Sequence, residues 1–165
     1  MAEMRRKDRQ VSEAEALEYL RAAEYGVLSV VGPEGEPYGV PLTYAVEADG
    51  QSLLFHCAPE GYKLACFAAN PKAHFTAVQE TLVLPEEFSI EFRSVMAEGV
   101  LEEVEARDEK IRCVQLVAAK YSGFDAEAYA TRAVDRIRIF RLRIASLTGK
   151  RLVKAGKPGM GYKKG

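Results

Sequence analysis

The sequence predicts a single mostly-β, α+β domain in which six or so antiparallel strands curl into a barrel with two or three helices at its margins. Period-two apolar runs are joined by hairpin turns, Asp49-Gly50 and the Gly/Pro-rich "GPEGEP" at 32–37. The longer runs are interrupted at Pro41, at Gly99 and by a change of phase at Ile139-Phe140, as happens where bulges and bends curl a sheet until it closes. Helical spacing is confined to short stretches. With 165 residues, 48% of them hydrophobic, the chain is long enough for one sizeable core. We assign that core to residues 1–150 and read 151–165 as a flexible basic tail.

Each element has a local cause. Ser12 with Glu15 forms a capping box, and Leu17 and Leu20 give an amphipathic helix that stops near Gly26. Tyr25–Val31 is a β-rich apolar run, and Tyr38–Ala48 carries Val40, Leu42, Tyr44 and Val46 at period two. Pro41 lacks an N–H, so this strand needs an edge, a bulge or a bound group beside it. "SLLFHC" is the next strand, and "YKLACFAAN" is a short helix ended by Asn70-Pro71. Strands are predicted over Ala73–Val78 and Ser89–Val104, the latter with a bulge or bend at Gly99. Arg107–Tyr121 is the most helical stretch, with Gly123 as its stop, and a minor helix occupies Ala126–Arg132. The final strand, "VDRIRIFRLRIAS", changes phase at Ile139-Phe140, for which a bulge is the economical explanation.

Composition excludes several classes. Lys+Arg 23 against Asp+Glu 24 leaves no general electrostatic footprint for nucleic acid, although residues 136–165 hold ten Lys or Arg and no Asp or Glu. No apolar run approaches the ~20 residues a membrane helix needs, and the charged N-terminus has no secretory apolar segment, which points to a cytoplasmic protein. Cys57, Cys66 and Cys113 form no CxxC, so buried reduced thiols are the default. Only two histidines exist, His56 and His74, which leaves a metal site short of ligands.

The stretch "FHCAPEGYK" at 55–63 carries the functional signal. His56 and Cys57 are adjacent in a strand and point to opposite faces, a poor arrangement for a nucleophile and its base. As an anion cradle the stretch is coherent. A strand ends in a loop, Gly61 permits close backbone approach, a helix starts there with free N–H groups, and Lys63 adds a full positive charge. An ordinary strand-to-helix turn with a surface lysine fits the same residues.

Taken in order, "MRRKDR", "YGVPLTY", "FHCAPEGYKL", "FRSVMAEGV" and "LTGKR" resemble the pyridoxamine 5'-phosphate oxidase-like FMN-binding split-barrel proteins, with the nitroimidazole-resistance (NimA-like) branch as the best fit. The resemblance runs from about Arg5 to Arg151 and implies a six-stranded FMN-binding split β-barrel with peripheral helices. It implies that Val40, Pro41, Leu42 and Thr43 lie along the flavin ring, that His56, Cys57 and Ala58 contact the ribityl or phosphate portion, and that Lys63 is the principal phosphate cation. Arg93 and Ser94 match a position where the oxidases usually carry Arg-Gln, so Arg93 resembles a second phosphate or ring contact and Ser94 a hydrogen-bond partner. The C-terminal Trp and Arg of the oxidases' substrate site are absent, which argues against pyridoxamine phosphate oxidation. The resemblance further implies a homodimer with FMN at the subunit interface.

The function so implied is an FMN-dependent oxidoreductase acting on a small-molecule electron acceptor, the protein supplying binding, orientation and electrostatics. Two alternatives stand beside it. The same barrel could hold haem, with His56 as axial ligand, or a deazaflavin. A non-enzymatic flavin-binding protein is the other.

Overall fold

The computed structural model describes residues 4–121 and 126–154, and in it the N-terminal segment leads into α1, Glu13–Ala22. Ser12 caps it by accepting the Glu15 N–H at 3.2 Å, and its inner face buries Ala16, Tyr19 and Leu20. β1 (Gly26–Val31) and β2 (Pro37–Leu42) form a hairpin, and β3 (Ala45–Val46) and β4 (Ser52–Cys57) a second one across the Asp49-Gly50 turn. α2 (Tyr62–Ala69) leads into the long hairpin of β5 (Lys72–Leu84) and β6 (Ser89–Glu103). α3 (Arg107–Tyr121) and α4 (Ala126–Ala133) precede β7 (Arg138–Leu152).

Among the described residues the strands form one antiparallel sheet of seven, in the order β2-β1-β5-β6-β7-β4-β3. Its edges, β2 and β3, are consecutive in the chain and separated only by Thr43 and Tyr44. The sheet therefore curls until its edges meet, and the seam is crossed by the chain instead of by a ladder, which is a split barrel with peripheral helices. The count is seven instead of six because the predicted strand Tyr38–Ala48 is two strands on opposite sides of that seam. Pro41 does not break it; it sits within edge strand β2 opposite Val27, where a missing N–H is tolerated.

The bulge expected at Ile139-Phe140 is not there. Register runs unbroken through both residues, because β7 is buried on both faces at this point: Phe140 faces the barrel core and Ile139 the underside of α3. The bulge of β7 lies at Ala145, between the pairs Glu98↔Ser146 and Gly99↔Ile144. A Cβ on Gly99 would stand 1.9 Å from the Arg143 carbonyl oxygen, so only glycine lets the two backbones approach this closely. β5 and β7 both outrun their predicted ends, to Leu84 and Leu152. Gly123 and residues 155–165, where a helix stop and most of the basic tail were expected, lie outside the described residues.

The barrel interior packs Leu28, Tyr44, Leu53, Phe75 and Leu142 with the aromatic group Phe55, Phe67 and Phe140, each ring 4.9–6.1 Å from the next. Each fully buried side chain of this size contributes roughly 1.5–3 kcal/mol of transfer free energy. A second cluster joins Ala45, Leu54 and Ile139 to Val104, Cys113, Val114, Val117 and Ala130 under α3 and α4. Arg141 ties that layer down by bonding both Glu109 of α3 (2.6 Å) and Glu47 (3.0 Å). Among the described residues no α-helix packs on the outer face of β2, β1, β5, β6 and β7. Its register aligns Pro41, Val27, Thr76, Met96 and Thr148 in one row, with Val78, Ser94 and Lys150 in the next.

Candidate functional site

β4 ends at Cys57, and Ala58, Pro59 and Glu60 form an exposed loop. Gly61 then adopts φ 127, in the region that favours glycine, and serves as the N-cap of α2 without any side chain to bond its first N–H groups. Lys63, half-buried in the first turn, makes no ion pair among the described residues, whereas most arginines are paired to carboxylates. Its ammonium is the near neighbour of where a Cβ on residue 61 would stand, at 3.6 Å. Tyr62 packs edge-on against Tyr38 of β2 at 5.3 Å, which fixes the start of α2 against the sheet edge. The loop, the uncapped helix start and Lys63 thus set bare N–H groups and a positive charge side by side, an arrangement suited to an anion.

His56 and Cys57 do point to opposite faces. Cys57 is buried in the barrel core, where burial pushes its thiol pKa up against the opposing pull of Lys63 and Arg138. His56 shares the face of β4 that Leu54 presents to α3; it is exposed at its edge, yet its packing lowers the imidazole pKa below the ordinary histidine value. Among the described residues no three His, Cys, Asp or Glu side chains lie close enough to hold a metal ion.

Val40 and Leu42 pack inward against the core, while Pro41 and Thr43 face out from β2. From Tyr38, beside α2, to Thr43 is five residues, about 16 Å of strand.

Arg93 and Ser94 lie elsewhere. Arg93 is paired to Glu80 and stands 5.8 Å from the Tyr19 ring centre. It is ten residues along β6 from Glu103, which grips Arg138 beside Cys57, so roughly 30 Å of strand separates it from the cradle end. Ser94 is 5% exposed and its hydroxyl has no hydrogen-bond partner among the described residues, next to a cavity of about 270 Å³ on the outer face that Met4, Met96, Thr148 and Lys150 also line. Within one chain Arg93 and Ser94 therefore lie far from the Lys63 end of the cradle, while Ser94 stands one row from Pro41 across three strand intervals of the outer face.

Sequence reasoning missed a third feature, at the seam. The Tyr121 hydroxyl accepts the Tyr44 N–H (3.0 Å) and donates to the Glu24 carbonyl (2.5 Å), supplying the partners that a ladder would have given. The Lys120 ammonium donates to the Ala23 carbonyl at 2.8 Å and lies 3.8 Å from the Tyr44 ring centre. These contacts join residues 77 to 97 positions apart, so no local pattern announces them. Among the described residues no helix is long and apolar enough to cross a membrane.

The family model for pyridoxamine 5'-phosphate oxidase matches residues 12–151. No curated protein matches the sequence. Among solved structures, a candidate 5-nitroimidazole antibiotic resistance protein from Bacteroides thetaiotaomicron superposes with a TM-score of 0.74 at 22% identity over 86% of each chain. An FAD-binding protein from Mesorhizobium loti gives 0.64 at 22% identity, over 88% of this chain and 98% of its own. An FAD and haem binding protein from Mycobacterium smegmatis gives 0.68 at 18% identity, over 91% of this chain and 75% of its own. At such identities the likeness is one of fold.

Proposed function

Because the chain belongs to the pyridoxamine 5'-phosphate oxidase family, we propose that it binds FMN and acts as an FMN-dependent oxidoreductase of the nitroimidazole-resistance type. The observation that carries this reading is Lys63, half-buried and unpaired among the described residues, at the uncapped Gly61 start of α2. A phosphate there satisfies both the ammonium and the bare N–H groups, and a side chain on residue 61 would intrude on the same space. FAD binding by structural neighbours supports a flavin as the cofactor.

Lys63 and the N–H groups of the α2 start hold the phosphate, Cys57 and Ala58 flank it, and Pro41 and Thr43 present the outer surface of β2 to the ring between the inward anchors Val40 and Leu42. When bound, FMN supplies the electron-transfer chemistry, and the chain's own part is to orient the ring and exclude water. Arg93 and Ser94 lie far from the phosphate end of their own chain's cradle, and three strand spacings separate Ser94 from β2. A second copy docked on the outer face brings Ser94 to the partner's ring, gives its hydroxyl a partner, and covers Val27 and Val78, which are 38% and 51% exposed, while Arg93, on the other face of β6 against Tyr19, stays with Glu80.

The test is purification followed by an absorption spectrum and mass identification of the released cofactor, then turnover of a nitroaromatic or quinone with a reduced nicotinamide as donor. A flavin spectrum with a mass equal to FMN supports the reading. A protein that refuses FMN in titration rejects it. The exposed imidazole of His56, held neutral by its lowered pKa, favours a second reading in which the barrel binds haem through that residue.

A further inference from the structure

Where β2 ends, a recess of about 630 Å³ opens between the end of α1, the seam and the last turn of α3, lined by Arg21, Glu24, Tyr25, Thr43, Lys120 and Tyr121. We propose that this recess binds the carboxylate of a planar aromatic substrate, with Lys120 as the anion's partner and Tyr25 as its stacking surface. The proposal rests on the flavin reading for its role, since Thr43 belongs both to the recess and to the strand along which the ring lies.

The Lys120 ammonium donates to the Ala23 carbonyl and lies over the rings of Tyr44 and Tyr121, 3.8 and 5.4 Å from their centres. No carboxylate among the described residues lies within ion-pair distance of it. Burial lowers its pKa to about 8, so at neutral pH it is a charged, partly desolvated cation. Such a group gains from a ligand anion what it has lost in hydration. Arg21 adds a second cation, its guanidinium held to the Glu47 and Ala48 carbonyls at 3.1 and 3.0 Å, against the single carboxylate of Glu24. Tyr25 is 60% exposed beside them, a largely open aromatic face among the described residues.

The probe is 4-nitrobenzoate, titrated calorimetrically at pH 7 into the protein with and without FMN, with 4-nitrobenzamide as the neutral isostere. The benzoate should bind at least about tenfold more tightly than the amide, as expected for a charge-assisted bond. Lys120→Gln should remove that preference, Lys120→Arg should keep most of it, and Tyr25→Ala should weaken both ligands. Equal affinity for the two probes in the wild-type protein, or an undiminished preference in Lys120→Gln, overturns the proposal without reliance on a variant's fold. Binding of the benzoate through Lys120 in a protein that refuses FMN would reject the flavin reading and leave the site standing; FMN binding without any Lys120-dependent anion would do the reverse.

Discussion

Replacing Lys63 by alanine isolates the phosphate cation from the fold. The side chain makes no ion pair among the described residues, so its removal leaves no carboxylate orphaned, and the variant should melt within a degree or two of the parent. The loss falls on the ligand. A charge-assisted hydrogen bond contributes about 1.5–3 kcal/mol, equivalent to roughly ten- to 150-fold in dissociation constant. Lys63 is only half-buried and the bare N–H groups of the α2 start remain in place, which puts the expected loss toward the lower end, near ten- to thirtyfold. Titration of cofactor-free protein with FMN, followed by quenching of flavin fluorescence at two salt concentrations, reads it directly. The variant should also show a shallower salt dependence than the parent. A variant that binds FMN as tightly as the wild-type protein would return the 55–63 stretch to an ordinary strand-to-helix turn.

The remaining expectations concern assembly, the second reading and the fold. Light scattering should give a dimer, and Val78→Asp should yield monomers with weaker FMN binding; a wild-type monomer holding stoichiometric flavin would contradict this. His56→Gln should leave a yellow protein, whereas a lost Soret band would favour haem. Gly99→Ala forces a Cβ onto the Arg143 carbonyl and should cost about 1–3 kcal/mol in urea unfolding, with no change if the β6–β7 approach is wrongly drawn. The folded-state pKa of Lys120, about 8, lies below the ordinary 10.5, so its buried charge costs stability below pH 8 and the cost fades as pH rises to 10.5. Lys120→Met lacks that dependence. The wild-type protein should therefore gain on the variant across pH 8–10.5, and parallel stability curves would show that the amine is not desolvated.

What was legible in the sequence had local causes. The Ser12 cap, the Asp49-Gly50 turn and the bend at Gly99 each follow from one or two residues, and α3 was bounded correctly by its spacing. Tyr38–Ala48 read as one strand because Val40, Leu42, Tyr44 and Val46 keep period two straight through the seam; the break there is made by the Tyr121 hydroxyl, 77 residues away. Ile139-Phe140 read as a bulge because alternation presumes one buried face, and the second face of β7 is buried only because α3 and α4 lie on it. The same division holds for the candidate site. Gly61 and Lys63 are neighbours in sequence and in space, while the separation of Ser94 from them, and the presence of Lys120 at the end of β2, depend on strand order.

The seam leaves two strand edges without partners, and such edges ordinarily invite another chain to add on. Here neither one makes a usable template. β3 is two residues long, too short to recruit a strand. Along β2, Pro37, Gly39 and Pro41 share one parity and so turn the same side of the backbone outward; a proline in an edge strand keeps its missing N–H on the open side. The outward row therefore offers three carbonyls and a single N–H, that of Gly39. A strand attempting to zip onto it would find acceptors where it needs donors in alternation. The two prolines that a strand ought to avoid thus keep the seam from polymerising, and they leave beside Thr43 a stretch of backbone rich in open carbonyls.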